Sequence, residues 1–272
     1  MTDGSLTPTE RTRVKRLADR ASYERADVHR ILDETYTCAV GYVIDGRPYV
    51  TTTAHWRDGD RVYWHGSSAS RFLRSVVGNE ACLTAHLLDG FVLARSGFEH
   101  SMNYRSVTVF GRVEMVERDR AGVLDRFVEK IVPGRSAELR RPTEQELKAT
   151  TILAMPIEEA SVKSRDDGTH DPEADWGEPV WAGVLAIESR FADLIPETDP
   201  PPRASVLPLL TSASDEVRTS AVRALGRVGS AADISFLLAL AAEDGAVRRA
   251  ARLAARSRDR VRATPRGSRA RV

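Results

Sequence analysis

The stretch Tyr63-Trp64-His65-Gly66-Ser67-Ser68-Ala69-Ser70-Arg71 ends a strand-like run, turns through small hydroxylated residues and opens a helix with an arginine. Such a turn leaves backbone N–H groups and hydroxyls free at a helix N-terminus, which favours a phosphate. Arg71 adds a charge-assisted contact that can fork onto two oxygens. The same residues also fit an ordinary serine cap beside a solvated arginine, and the local pattern alone does not choose between the two. No GxGxxG after a strand, GxxxxGKS/T, HExxH or GxSxG occurs. Cys38 and Cys82 lie in apolar surroundings without a CxxC or a histidine at metal spacing, which points to buried free thiols rather than zinc.

The elements that must position this turn are mostly short strands. Residues 8–35 are expected to be helical. Thr37–Ile44, the turn Asp45-Gly46 and Pro48–Trp56 spell a hairpin, and Arg61–His65 makes a third strand. Ser70–Val77 suggests a short helix. Ala81–Leu88 and Phe91–Gly97 are expected as two strands separated by Asp89-Gly90, followed by a long strand Tyr104–Val116. Arg120–Ile131 is an amphipathic helix, and Thr143–Lys148 a short one with Thr143 and Glu146 spaced as a capping box. Strands Ile152–Met155, Ala160–Arg165 and Val180–Ile187 complete an antiparallel barrel pattern.

Beyond Ile195 the composition changes. Pro196, Pro200, Pro201 and Pro202 form a stiff linker, and a repeat follows. Asp215-Glu216-Val217-Arg218 with Ala221 and Ala224 recurs thirty residues later as Asp244 to Arg248 with Ala251 and Ala254. Small residues at fixed positions let paired helices stack, and the segment resembles HEAT-like repeats. Residues 251–272 hold eight Arg against Asp259, a net of +7, so the rest of the chain carries −6 within the total of +1. That tail lacks interleaved aromatics, so nucleic-acid binding is not expected of it. No apolar run approaches the ~18 residues that span a bilayer, and the polar N-terminal residues show no export signal, so a cytoplasmic protein without membrane contact is expected.

From about Thr35 to about Pro196 the order of motifs resembles the FMN-binding split β-barrel flavoproteins, the pyridoxamine 5′-phosphate oxidase-like family, in its branch related to the nitroimidazole-resistance proteins. The residues that carry this are Val43 to Val50, Tyr63 to Arg71, Leu88-Asp89-Gly90, His100-Ser101-Met102-Asn103-Tyr104-Arg105-Ser106-Val107, Thr143 to Thr150 and Ala160-Ser161-Val162-Lys163. The resemblance implies a flavin at a homodimer interface, with Ser67, Ser70 and Arg71 at its phosphate. It aligns Val50, Thr51, Thr52 and Thr53 with the strand along the ring, and His65 beside the ribityl chain or ring. Arg105 and Ser106 would reach the same flavin from the neighbouring strand.

Each match has an alternative. The threonine run also suits any half-exposed strand, His65 also fits a strand-end histidine, and Arg105 also fits an ion pair with an acid such as Glu99. Lys163 and Arg165 fit a solvated edge strand better than a phosphate site. Trp56, Trp64, Trp176 and Trp181 fit core or interface aromatics. The passage into a proline linker departs from true pyridoxine-phosphate oxidases, so vitamin B6 oxidation is not expected. Phe72, where related sequences place a second basic residue, leaves room for a deazaflavin or haem in place of FMN.

The fold expected is therefore α+β: an antiparallel split β-barrel with flanking helices, then a small all-α repeat segment. The boundaries are an N-terminal helical segment (1–34), the barrel (35–195), the linker (196–204), the repeats (205–257) and an Arg-rich disordered tail (258–272). The function implied is FMN-dependent oxidation or reduction of a small molecule through flavin N5. The alternative is a non-catalytic flavin- or haem-binding module with the repeats as a partner-docking arm.

Overall fold

A computed structural model of the chain describes residues 4–191, with 218, 221 and 222 beyond them. The linker, the Arg-rich tail and nearly all of the repeat segment lie outside the described residues. The chain divides into two compact units, residues 1–130 with 140–188, and residues 131–139 with 189–272. In the second, Arg218, Ala221 and Val222 are helical, and Ala221 and Val222 are buried.

The first unit is built on eleven strands among the described residues: β1 (Ala21–Ser22), β2 (Thr37–Ile44), β3 (Arg47–Ala54), β4 (Trp56–Asp58), β5 (Arg61–Ser67), β6 (Glu80–Leu93), β7 (Ser101–Arg112), β8 (Glu114–Met115), β9 (Thr150–Pro156), β10 (Glu159–Arg165) and β11 (Gly183–Ala186). Its helices are α1 (Arg25–Glu34), α2 (Arg71–Val76), α3 (Arg120–Ile131, ending at the unit boundary) and α4 (Glu144–Ala149). The strands form a larger sheet ordered β1-β10-β7-β6-β2-β3, with β11 also on β6, and a smaller sheet ordered β4-β5-β9-β8. All pairings are antiparallel, and the two sheets do not close into one ring, which is the split barrel.

Asp45 and Gly46 both take positive φ (51° and 72°), the geometry a two-residue hairpin between β2 and β3 requires. One core lies between the sheets. It joins Val40, Leu83, Val107, Val109 and Val162 of the larger sheet to Val62, Trp64, Leu153 and Met155 of the smaller, with Ile31 and Leu32 of α1 and Leu73 and Val76 of α2. A second cluster lies on the far face of the smaller sheet, where Tyr63, Ile152 and Ala154 meet Trp56 and, from α3, Val123 and Phe127.

Cross-strand partners share a face, so the register sorts the larger sheet into two. Val40, Leu83, Val109 and Ala160 look into the core. The opposite face carries Thr52, Ala39, Thr84, Thr108 and Ser161 in one row across five strands, beside Val50, Gly41, Cys82 and Phe110 in the next. The core cluster that includes α1 and α2 lies on the first face. On the other, Val50, Phe91 and Met102 are 71%, 43% and 50% exposed.

Three elements differ from expectation. Among the described residues of the N-terminal segment only Arg25–Glu34 is α-helical, while those before it hold a turn, a one-turn helix at Ala18–Arg20 and β1. Tyr23 organises them, its hydroxyl accepting from Val14 N–H at 2.9 Å and its carbonyl accepting from Leu6 N–H at 2.7 Å. Asp89-Gly90 is a register shift inside the continuous strand β6, not a turn between two strands. Arg165 is buried rather than solvated, and β10 is flanked by β1. Its guanidinium donates to the carbonyls of Asp167 (2.9 Å) and Gly168 (2.6 Å) and to Asn103 Oδ1, tying down the loop after β10.

Candidate functional site

Ser67 closes β5, and α2 begins four residues later. The turn between them is rigid. Ser68 N–H donates to Ala149 O at the end of α4 (2.8 Å), Ser70 N–H donates to Ser67 O (2.9 Å), and Ser67 Oγ accepts from Ala69 N–H (3.2 Å). Ser70 is the N-cap of α2, its Oγ accepting from Leu73 N–H at 3.4 Å. The amides of Arg71 and Phe72, in the first turn, have no intrahelical acceptor. From the other side, α4 is fixed by the capping box of Thr143 and Glu146, and Arg120 donates to the carbonyls of Leu147 and Thr150.

Arg71 is exposed, with its guanidinium 5.6 Å from the Tyr49 ring centroid. Tyr49 stacks on Tyr42 (5.7 Å), Tyr42 meets Phe72 (5.0 Å), and Tyr42 Oη lies 3.1 Å from Thr51 Oγ1. Arg71 and Thr51 are thus gathered around an aromatic patch that sequence reasoning did not single out, with Ser70 next to Arg71 in the chain. The available signal was symmetry, since Tyr42 and Tyr49 are equally spaced about the Asp45-Gly46 turn and so become cross-strand partners.

The other candidates are distributed differently. Thr51 and Thr53 share the face of Val40 and Cys38, whereas Val50 and Thr52 lie on the opposite face. One flat ligand therefore meets either pair of side chains, or the strand's backbone, but not all four side chains from one side. His65 lies on the α3 face of the smaller sheet, 5.7 Å from Trp56 and 4.9 Å from Phe127. Its Nδ1 is buried and without a partner among the described residues, and burial lowers its pKa, so the ring is neutral near pH 7. Phe127 was missed as its neighbour because it comes from α3, far away in sequence, and Trp56 because its place depends on the β4–β5 register, in which it pairs with Tyr63.

Arg105 and Ser106 stand apart from the turn, because β2 and β6 lie between β7 and β3. The Arg105 guanidinium forks onto Asp89 (2.9 Å for both contacts) and also reaches Glu34, not Glu99, and these acceptors raise its pKa. Ser106 Oγ donates to Lys163 O at 3.0 Å. Trp56 and Trp64 are buried, while Trp176 and Trp181 are largely exposed. Cys38 and Cys82 are free, and burial pushes the Cys38 thiol up to about 12. No described helix is long and apolar enough to cross a membrane.

A second polar cluster sits where α1 ends. Leu32 O, left without an intrahelical partner there, lies 3.1 Å from His55 Nε2 and accepts from Lys130 Nζ at 2.7 Å. His55 is fully buried, its Nδ1 has no partner among the described residues, and burial with the nearby Lys130 charge lowers its pKa to about 4. Between its ordinary 6.5 and this value the unfolded chain takes up a proton that the folded chain refuses. Stability is therefore expected to fall as pH drops through that window, by roughly 3 kcal/mol from His55. Denaturant melts of wild type and His55→Gln at pH 7 and pH 4 check this, since the variant loses less on acidification. An equal loss in both would assign the acid sensitivity to other groups.

A family profile described as pyridoxamine 5′-phosphate oxidase matches residues 24–164, and one described as HEAT repeats matches residues 189–256. Among solved structures, the flavocytochrome Anf3 from Azotobacter vinelandii is 43% identical, with 72% of this chain and 91% of that one covered at a TM-score of 0.66. The FAD and heme binding protein from Mycobacterium smegmatis is 35% identical, with 66% and 90% covered at a TM-score of 0.64. No curated protein matches the chain.

Proposed function

Because the chain belongs to the pyridoxamine 5′-phosphate oxidase family, we propose that it is a flavin-dependent oxidoreductase acting on a small molecule. The observation that carries this reading is the β5–α2 turn, where the Ser67 and Ser70 hydroxyls and two first-turn amides without an intrahelical acceptor lie next to Arg71, which reaches the Tyr49 ring. The unpartnered Nδ1 of His65 is a second feature that fits a polar cofactor.

When bound, the flavin supplies hydride or electron transfer at N5. The chain's part is to bind and orient it. The turn amides and Arg71 hold the phosphate, and Arg71 is kept in place by Tyr49. β3 offers backbone and hydroxyl groups, and Trp56 and Phe127 shield one side of His65 from water. His65, neutral near pH 7, can accept or donate one hydrogen bond through Nδ1.

The same reading makes the protein a homodimer with the cofactor at the interface. Its support is the larger sheet's second face, whose central row holds small and hydroxylated side chains and which exposes Val50 and Met102. Its charges Glu80, Arg112, Glu159 and Lys163 are confined to β10 and the adjoining ends of β6 and β7. Five strands about 4.8 Å apart and some 25–30 Å long give an area near the roughly 800 Å² per partner of a stable interface. A second reading, flavin together with haem, is favoured by two relatives above 30% identity, one a flavocytochrome and the other an FAD and heme binding protein.

The test is the visible spectrum of the purified protein, with the released cofactor identified by mass and the particle mass by light scattering. FMN is the cofactor expected, in a dimer. FAD would keep the oxidoreductase reading and change the nucleotide, and a Soret band would establish the second reading. Colourless protein that takes up no added flavin would overturn both.

A further inference from the structure

Lys130 Nζ hydrogen-bonds a backbone carbonyl and faces the Tyr36 ring at 5.6 Å, and among the described residues no carboxylate is within ion-pair distance of it. The groups packed around it from other elements are Asp33, Arg57, His55, Cys38 and Tyr36. Asp33 is engaged by the Arg57 fork, with Arg57 Nε donating at 3.0 Å. Asp33 and Arg57 act on the ammonium in opposite senses, and together they leave burial the larger effect, while His55 is held neutral and the Cys38 thiol protonated. A half-buried ammonium stands there with its desolvation poorly compensated.

We propose that Lys130 is a site of N-acylation by acyl phosphates. The neutral amine attacks the acyl carbon; the N–C bond forms, the bond to the phosphate oxygen breaks, phosphate leaves, and the amine's surplus proton passes to solvent. The product suits the site, because an amide N–H can still donate to Leu32 O while the uncompensated charge is gone. Burial lowers the Lys130 pKa to about 8, which raises the fraction of free amine available for the reaction. Acylation also bears on the candidate site, since Phe127, the ring against His65, lies one turn earlier on α3.

The chain has four lysines, so Lys15, Lys148 and Lys163 serve as internal comparators. The full chain is treated with acetyl phosphate at pH 8, and acetylation at each lysine is followed by peptide mass spectrometry, natively and in urea. Lys130 is expected to react about tenfold faster than the other three in the folded protein, its rate levelling off just above pH 8, and to lose that advantage in urea. A native rate at Lys130 no greater than at Lys148 overturns the proposal, as does an advantage that persists in urea.

Discussion

Replacing Trp64 by alanine is expected to destabilise the protein by about 3–5 kcal/mol, the usual range for removing a large aromatic from a packed core. Trp64 is 0% exposed and lies in the cluster that joins the two sheets. Its Nε1 has no hydrogen-bond partner among the described residues, so the loss is one of packing and apolar burial. The variant should melt roughly 10 °C or more lower, as followed by circular dichroism. Trp181 is 65% exposed, and Trp181→Ala should stay within about 0.5 kcal/mol of wild type. Similar losses from both substitutions would mean that Trp64 does not hold the sheets together.

Arg71→Ala is expected to weaken flavin binding by about 100-fold, the scale of one lost charge-assisted contact to phosphate. Titration calorimetry with FMN and FAD measures it. Because Arg71 opens a helix on an exposed surface, the variant should keep the wild-type melting temperature. Arg105→Ala is the contrasting control. Its guanidinium is committed to Asp89 and Glu34 within one chain, so its removal should lower stability more than affinity. If Arg105→Ala abolishes binding while Arg71→Ala leaves it intact, the phosphate lies elsewhere.

The local signals in the sequence were reliable wherever the chain's own neighbours decide the outcome. Asp45-Gly46 is a hairpin because both residues accept left-handed backbone, α3 spans Arg120–Ile131 as its apolar spacing requires, and the Thr143–Glu146 capping box forms. The failures share a long-range cause. Asp89-Gly90 has the composition of a turn, but Arg105 grips Asp89 from the next strand, and a Cβ on Gly90 would lie 2.9 Å from Leu185 O of β11. Arg165 carries a charge that suggests solvent, and only the folded loop supplies the carbonyls that bury it.

The candidate site was legible as a turn but not as a surface. Ser67, Ser70 and Arg71 could be named from their spacing. Tyr49 beneath Arg71 and the division of Val50 to Thr53 between two faces depend on register. The wide separation of Arg105 and Ser106 from β3 depends on strand order, which no local pattern encodes.

The extra residue at Asp89 sets the handedness of alternation for everything after it on β6. Below it Leu83 and Ala85 point inward; above it Val92 is buried while Phe91 is turned out beside Met102 and Leu185. Removing that one residue would heal the ladder, with Leu88 opposite Tyr104 followed directly by Gly90 opposite Asn103, and would leave the valine inside and the phenyl ring outside; what would vanish is the carboxylate that ties this strand to Arg105.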